Sequence, residues 1–339
     1  MEQSTVGSTA TTTRPPSTSS SALPAITIIS VTILVPTLVI SVLGNVLVCI
    51  ACVASKRLHS YTSVFIVSLA TSDILVGVVS VPVWISVQLN GEPSMVTMPT
   101  MYMMWLCLDI INGTASIMNL VFISIDRFLA VCHPYLYHNL MSRAKVAMTI
   151  VFIWAYAVLI AGLYPTYWRG YAIFVFVLAF LVPLLIMIIA YSMIFKVAIA
   201  HARSIRAQSL SFNTTANPRA TNIIQDLKAA RTLSIVIGTF VLCWCPFFIL
   251  NIITVYCKSC PIWFSVVIAV KILHYGSSAV NPIIYSCMNR SFRAAFKAIL
   301  TRGVFRGNRV GSLDAGSTIT RSLQVSHRYP IQKERSYIK

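Results

Sequence analysis

The chain has 339 residues, 57% of them hydrophobic and only 10% charged, with a mean hydropathy of +0.79. A soluble domain carries about 25% charged residues, so this composition excludes an ordinary globular enzyme and points to a polytopic membrane protein. The net charge of +18 would suggest nucleic acid if it formed a patch, but the basic residues collect in short loops and a tail, so no nucleic-acid partner is expected.

Residues 1–25 are rich in Ser, Thr and Pro without an apolar core, and read as a disordered outer tail, not a cleaved leader. Seven apolar segments follow at 26–54, 62–89, 99–132, 145–165, 170–199, 228–256 and 262–287, each long enough to cross a bilayer. The expected fold is an all-α membrane protein, a seven-helix transmembrane bundle over 26–288. Residues 289–300 place Phe292, Phe296 and Ile299 or Leu300 on one stripe, the pattern of a short amphipathic helix at the membrane surface. The basic stretch 301–339 reads as a disordered tail.

Lys56, Arg57, Arg143, Lys145, Arg203, Arg206, Arg219 and the C-terminal tail all lie on one side of the spans. The other side holds Arg14, Arg169, Lys258 and, near a helix end, Lys271. The N-terminus is therefore expected outside and the C-terminus in the cytoplasm. Seven of the nine cysteines sit in apolar spans with no metal-binding spacing. Cys257 and Cys260 lie in an outer connection, where an oxidising compartment allows a small disulfide.

The third segment organises the rest. Asp109 and Arg127 are eighteen residues apart, five turns at about 3.6 residues per turn, and so share one face at a separation of roughly 27 Å. One charge can face an outer ligand while the other faces an inner partner. An ionisable group inside a membrane helix is costly and marks a functional site by default.

Taken together, these residues resemble the rhodopsin-like (class A) G-protein-coupled receptors over 26–300. The markers are Gly44-Asn45, Ser68-Leu69-Ala70 with Asp73, Asp126-Arg127-Phe128, Trp154, Pro183 with Tyr191, Phe240 with Cys243-Trp244 and Pro246, and Asn281-Pro282 with Tyr285. Within that family Asp109, Phe247-Phe248 and Tyr275 resemble the biogenic-amine receptors, and Thr232–Asn251 is similar to the dopamine, adrenergic and trace-amine group.

The resemblance implies a plasma-membrane receptor, not an enzyme, that binds a small protonated amine outside and activates a heterotrimeric G protein inside. The alternative is a peptide or lipid ligand at an open outer face. A transporter is disfavoured by the lack of an internal repeat. Membrane lipids, and arrestin and receptor kinases at the C-terminal tail, are the further expected partners. The implied ligand residues are Asp109, Trp244, Phe247, Phe248, Tyr275, Val175, Phe176, Ala179, Asn251 and Lys271. The fifth segment has no serines where catecholamine receptors have them, so a ring of low polarity is expected. For Lys271 three readings stand: snorkelling to water, which is favoured; meeting an acidic group on the ligand; or pairing with Asp109, which would count against an amine.

The implied coupling set is Asp126, Arg127, Asp226, Tyr191, Tyr285, Pro134, Tyr135, Ile117, Pro183, Phe240, Asn281 and Pro282, with Pro246 as the pivot of the sixth helix. Asp73, Ser116, Ser277 and Asn281 resemble the family's allosteric sodium pocket; no other cofactor is expected. Tyr102 stands where most members have the third-helix cysteine of an outer disulfide.

Overall fold

The computed structural model describes residues 24–90, 99–164, 170–211, 218–257 and 259–302, with the backbone alone at 90, 99, 201–211, 218–234, 236, 288 and 302. Both predicted tails, the outer loop near Arg169 and the side chain of Asp226 therefore lie outside the described residues. Among the described residues the chain is helical, and seven helices are long and apolar enough to cross a membrane.

The first span is Ala25–Ala54. The second begins at Tyr61–Leu75, capped where Ser60 Oγ accepts the Ser63 N–H, and continues through a π-turn at Val76–Ser80 into Val81–Asn90. The third is the long rod Pro99–Cys132. A short inner helix, Pro134–Leu140, starts with proline in its first turn, where no N–H is needed. The fourth span, Arg143–Gly162, is capped by Ser142. The fifth runs from Tyr171–Val175 through a second π-turn, Phe176–Leu181, into Val182–Ser211. The sixth is Pro218–Tyr256, the seventh Phe264–Met288, and Arg290–Arg302 is the amphipathic helix expected after it.

The first span packs on the second and seventh, the third on the second, fourth and fifth, and the sixth joins the fifth to the seventh. Ile117 and Leu120 of the third span meet Phe180, Met187, Phe240, Trp244 and Phe248 in one buried cluster. On the opposite surface Met148, Val151, Phe152, Val158 and Leu159 of the fourth span are exposed. Such an apolar flank is unstable against water and suits lipid chains. In the last helix Phe292 and Phe296 bury against Val48 and Cys52 of the first span, and Asn289 Oδ1 accepts the N–H groups of Ser291 and Phe292.

Small and polar residues let the spans approach one another. A Cβ on Gly44 would lie 2.8 Å from the Pro282 ring, so the first and seventh spans touch almost backbone to ring. Next to it Asn45 Nδ2 donates to Ser41 O at 2.8 Å and across to Ser278 O at 3.0 Å. Gly44→Val is expected to force these spans apart at a cost of ~1–3 kcal/mol. Thermal unfolding in detergent should show a midpoint lowered by several degrees; an unchanged midpoint would mean that the contact yields freely.

Candidate functional site

The outer site is built around Asp109, which is 5% exposed. Lys271 Nζ donates to its Oδ2 at 2.8 Å. Tyr275 Oη lies 3.5 Å from the same oxygen and 3.4 Å from Lys271 Nζ, and His274 Nε2 is 3.9 Å from it. The Lys271 ammonium sits between 5.1 and 5.7 Å from the ring centroids of Trp84, Trp105, Phe247 and Tyr275. Trp84 and Trp105 stack with centroids 6.2 Å apart, and Trp105 Nε1 donates to Ser80 O.

This corrects the reading of Lys271 as a snorkelling side chain. It lies one turn outward of Tyr275 on the inner face of the seventh span, only 9% exposed. A carboxylate within reach and four aromatic faces replace the water that the ammonium gives up. Trp84, Trp105 and His274 were not singled out from sequence. Trp105 was legible as Asp109's neighbour one turn outward, whereas the register of Trp84 depends on the π-turn before it. His274 adjoins Tyr275 and is wedged between Phe247, stacked at 4.4 Å, and the edge of Trp244 at 4.5 Å.

The predicted aromatic residues divide between two places. Phe247 and Tyr275 surround the ion pair, and Trp244 reaches the site through His274. Phe248 instead stacks on Phe180 at 4.8 Å and meets Phe176 at 6.3 Å, with Val175 packed on the same cluster and Ala179 buried. The fifth-span residues therefore pack into the apolar cluster around Phe180 and Phe248. Asn251 is exposed, and its Nδ2 donates to Phe247 O of its own helix at 2.8 Å. A polar side chain on a helix can satisfy itself locally in this way.

Halfway down, Asp73 is fully buried; Asn281 Nδ2 donates to its Oδ2 at 2.7 Å and its Oδ1 has no hydrogen-bond partner. Ser116 and Ser278 stand beside the carboxylate. Ser277, the seventh-span hydroxyl expected there, donates to His274 O at 2.7 Å and lines a small adjoining cavity with Ser116, Phe240, Trp244 and Asn281. Above that cavity a Cβ on Gly113 would fall 2.8 Å from Trp244, so the third span carries the indole directly on its backbone.

At the inner end Asp126, fully buried, is a hub. Its Oδ2 accepts from Arg127 Nη2 and from Thr62 Oγ1, each at 2.6 Å, and its Oδ1 accepts from Tyr137 Oη at 3.1 Å. Arg127 also donates to Thr62. Thr62 and Tyr137 were not foreseen, because their positions depend on how the second span and the inner helix dock. Burial first, then Asp126, pushes the Tyr137 phenol from 10.0 up to about 12. The bond is thus complete below the ordinary phenol value and is lost only as pH rises through about 12. Tyr191 Oη and Ser124 Oγ share a hydrogen bond of 2.7 Å, whereas Tyr285 stacks on Phe292 at 5.2 Å. Ile117, Phe240 and Pro183 are buried, Pro282 abuts Gly44, and Pro134 with Tyr135, which is 90% exposed, projects from the inner face. At the opposite end of the bundle Cys257 and Cys260 form a disulfide with Cα atoms 5.5 Å apart.

The bundle thus carries a buried acid, Asp109, and a guanidinium, Arg127, on one helix among seven membrane-length spans, the arrangement of a transmembrane receptor. Residues 44–169 and 162–285 match the 7 transmembrane receptor (rhodopsin family), and the chain belongs to that family of receptors, which are not enzymes. It is 31% identical to the octopamine receptor beta-2R of Chilo suppressalis over 88% of this chain and 86% of that one. It is 34% identical to the histamine H2 receptor of Cavia porcellus over 78% of this chain and 77% of that receptor. With the D(5)-like dopamine receptor of Takifugu rubripes it shares 30% identity over 88% of this chain and 72% of the relative.

A buried ion pair has a sharp signature in stability. Removing either charge leaves the other uncompensated, at a cost of about 3–5 kcal/mol. Lys271→Met and Asp109→Asn alone should each lower the unfolding midpoint. The double variant should recover most of the loss, and additive losses would show that the pair contributes nothing as a pair.

Proposed function

We propose that this chain is a plasma-membrane receptor for a small amine, with its N-terminus outside and its C-terminus in the cytoplasm, and that it signals through a heterotrimeric G protein. One observation carries the reading. An ammonium group, Lys271's own, is held 2.8 Å from a buried carboxylate and faced by four aromatic rings, so the site is already an ammonium receptor in its chemistry. The relatives named for octopamine, histamine and dopamine support the same ligand class. The Lys271 pairing is the arrangement that counts against a simple amine, because the lysine is a competitor that an incoming cation has to meet; the named relatives and the buried carboxylate outweigh it.

Asp109 binds the amine, and Phe247, Tyr275, Trp84 and Trp105 supply the faces around it. Agonist binding is transmitted through His274 to Trp244, which rests on Gly113 and packs with Phe240 and Ile117. The sixth helix then moves about Pro246, and Arg127 leaves Asp126 to meet the G protein beside Pro134 and Tyr135. Asp226, on the sixth helix, is the second acid assigned to Arg127. Tyr191 and Tyr285 turn toward the vacated space. Asp73, with Ser116, Asn281 and Ser278 beside it, suits a sodium ion, a hard cation that the partnerless Oδ1 can accept. Lipids cover the exposed apolar flanks, and the C-terminal tail is assigned to receptor kinases and arrestin.

Asp109→Asn should abolish the cyclic AMP or calcium response to a panel of amines in cells matched for surface receptor. If expression falls, Asp109→Asn with Lys271→Met restores a neutral site and should remain silent. A surviving amine response in either would overturn the reading. Tyr137→Phe removes one hydrogen bond to a carboxylate, worth ~1.5–3 kcal/mol, from the Asp126 hub. Basal signalling should rise by about ten- to hundredfold, the Boltzmann equivalent; unchanged basal output would free Tyr137 of that role.

A further inference from the structure

The ion pair has unused bonding capacity on both members. Asp109 Oδ1 is buried and makes no hydrogen bond of regular geometry, with the Ser80 hydroxyl as the neutral group beside the carboxylate, while Lys271 and Tyr275 both crowd Oδ2. Lys271 has three N–H donors, of which one is used well on Asp109 and one stretches 3.4 Å to Tyr275. Two further polar side chains on the second span are in the same condition. Trp84, 4% exposed, has no partner for Nε1, and Gln88, 5% exposed, has none for Nε2 or Oε1. They are four residues apart on a regular helix and so share one face, one turn above the other. Trp84 is itself one of the rings beside the Lys271 ammonium, at 5.7 Å.

Buried donors without partners are rare and costly, and here one of them, Trp84, faces the Lys271 ammonium while Gln88 follows it one turn along the same helix face. Charge balance adds a second constraint. Asp109 and Lys271 together are neutral, so a ligand carrying only an ammonium would leave the site with an excess positive charge away from water. A ligand carrying both signs would leave it neutral.

We propose that the ligand class is a zwitterionic amine, such as an α-amino acid, its ammonium meeting Asp109 Oδ1 and its anionic group meeting Lys271 Nζ, Trp84 Nε1 and Gln88 Nε2. This rests on the amine reading above and narrows it. The ion pair opens toward the ligand without either member losing a partner, since each exchanges one contact for another of the same sign. The ring or aliphatic remainder of the ligand is left to the aromatic rings that already surround the Lys271 ammonium, Phe247, Trp105 and Tyr275.

The test uses full-length receptor in cells reporting cyclic AMP and calcium, with surface receptor quantified. The probes are matched pairs that differ only by a carboxylate: phenylalanine with 2-phenylethylamine, tryptophan with tryptamine, and leucine with 3-methylbutylamine. Wild type should favour the amino acid of the responding pair by at least about tenfold in potency, the scale of one lost charged contact. Lys271→Met should reverse that preference, Lys271→Arg should retain it, and Gln88→Leu should weaken the amino acid while leaving the amine. Thermal shifts of purified wild type by the two members of each pair read the same preference should the methionine variant fail to reach the surface. An amine preference in wild type that Lys271→Met leaves unaltered overturns the zwitterion and keeps the amine reading. So does an amine that acts only once Lys271 is removed, with the amino acid inert throughout, which would make the lysine a tethered blocker. Silence and no thermal shift from every pair overturns both readings together.

Discussion

The contact between Asp109 and Lys271 decides how the outer half of the bundle is arranged. It ties the third span to the seventh across a space from which water is excluded, and neither charge is tolerable there alone. Four rings from the second, third, sixth and seventh spans converge on one nitrogen as a result. The site is therefore centred among those four spans, and the fifth contributes an apolar wall through Phe176, Ala179 and Phe180 instead of polar contacts.

The inner end repeats the logic with less burial. Asp126 is as deeply enclosed as Asp73, but its cation, Arg127, remains 37% exposed and shares the acid with two hydroxyls. An ion pair at the edge of the bundle is screened more and held less tightly than one inside it. The outer pair is thus the firmer of the two, and the inner one is suited to exchange partners. Between them His274, Trp244, Phe240 and Ile117 form an unbroken column of packed groups, and the bare backbone at Gly113 fixes where the indole can rest.

Seven spans and the helix after them were legible in the sequence, because apolar length and helical period need no tertiary knowledge; the fifth and sixth helices run on past the apolar segments, to Ser211 and back to Pro218, where polar residues no longer mark a span. Lys271 was legible as a residue near the pocket but not as the partner of Asp109. Choosing between water and a carboxylate depends on how far the seventh span leans over the third, which no local pattern records. The bond from the Asn251 amide back to Phe247 of its own helix was likewise not legible as sequence. Thr62, Tyr137 and Ser278 became visible only when neighbouring helices supplied their partners.

The widened turns at Val76–Ser80 and Phe176–Leu181 set the azimuth of everything beyond them. One residue more or fewer in such a turn would rotate the outer helix by about 100°, turning Trp84 and Gln88 from the interior toward lipid. Spacing is consequently as much a part of the recognition chemistry as side-chain identity. Relatives whose second span has an ordinary turn at this point would present a different set of side chains to their ligands, however similar the letters.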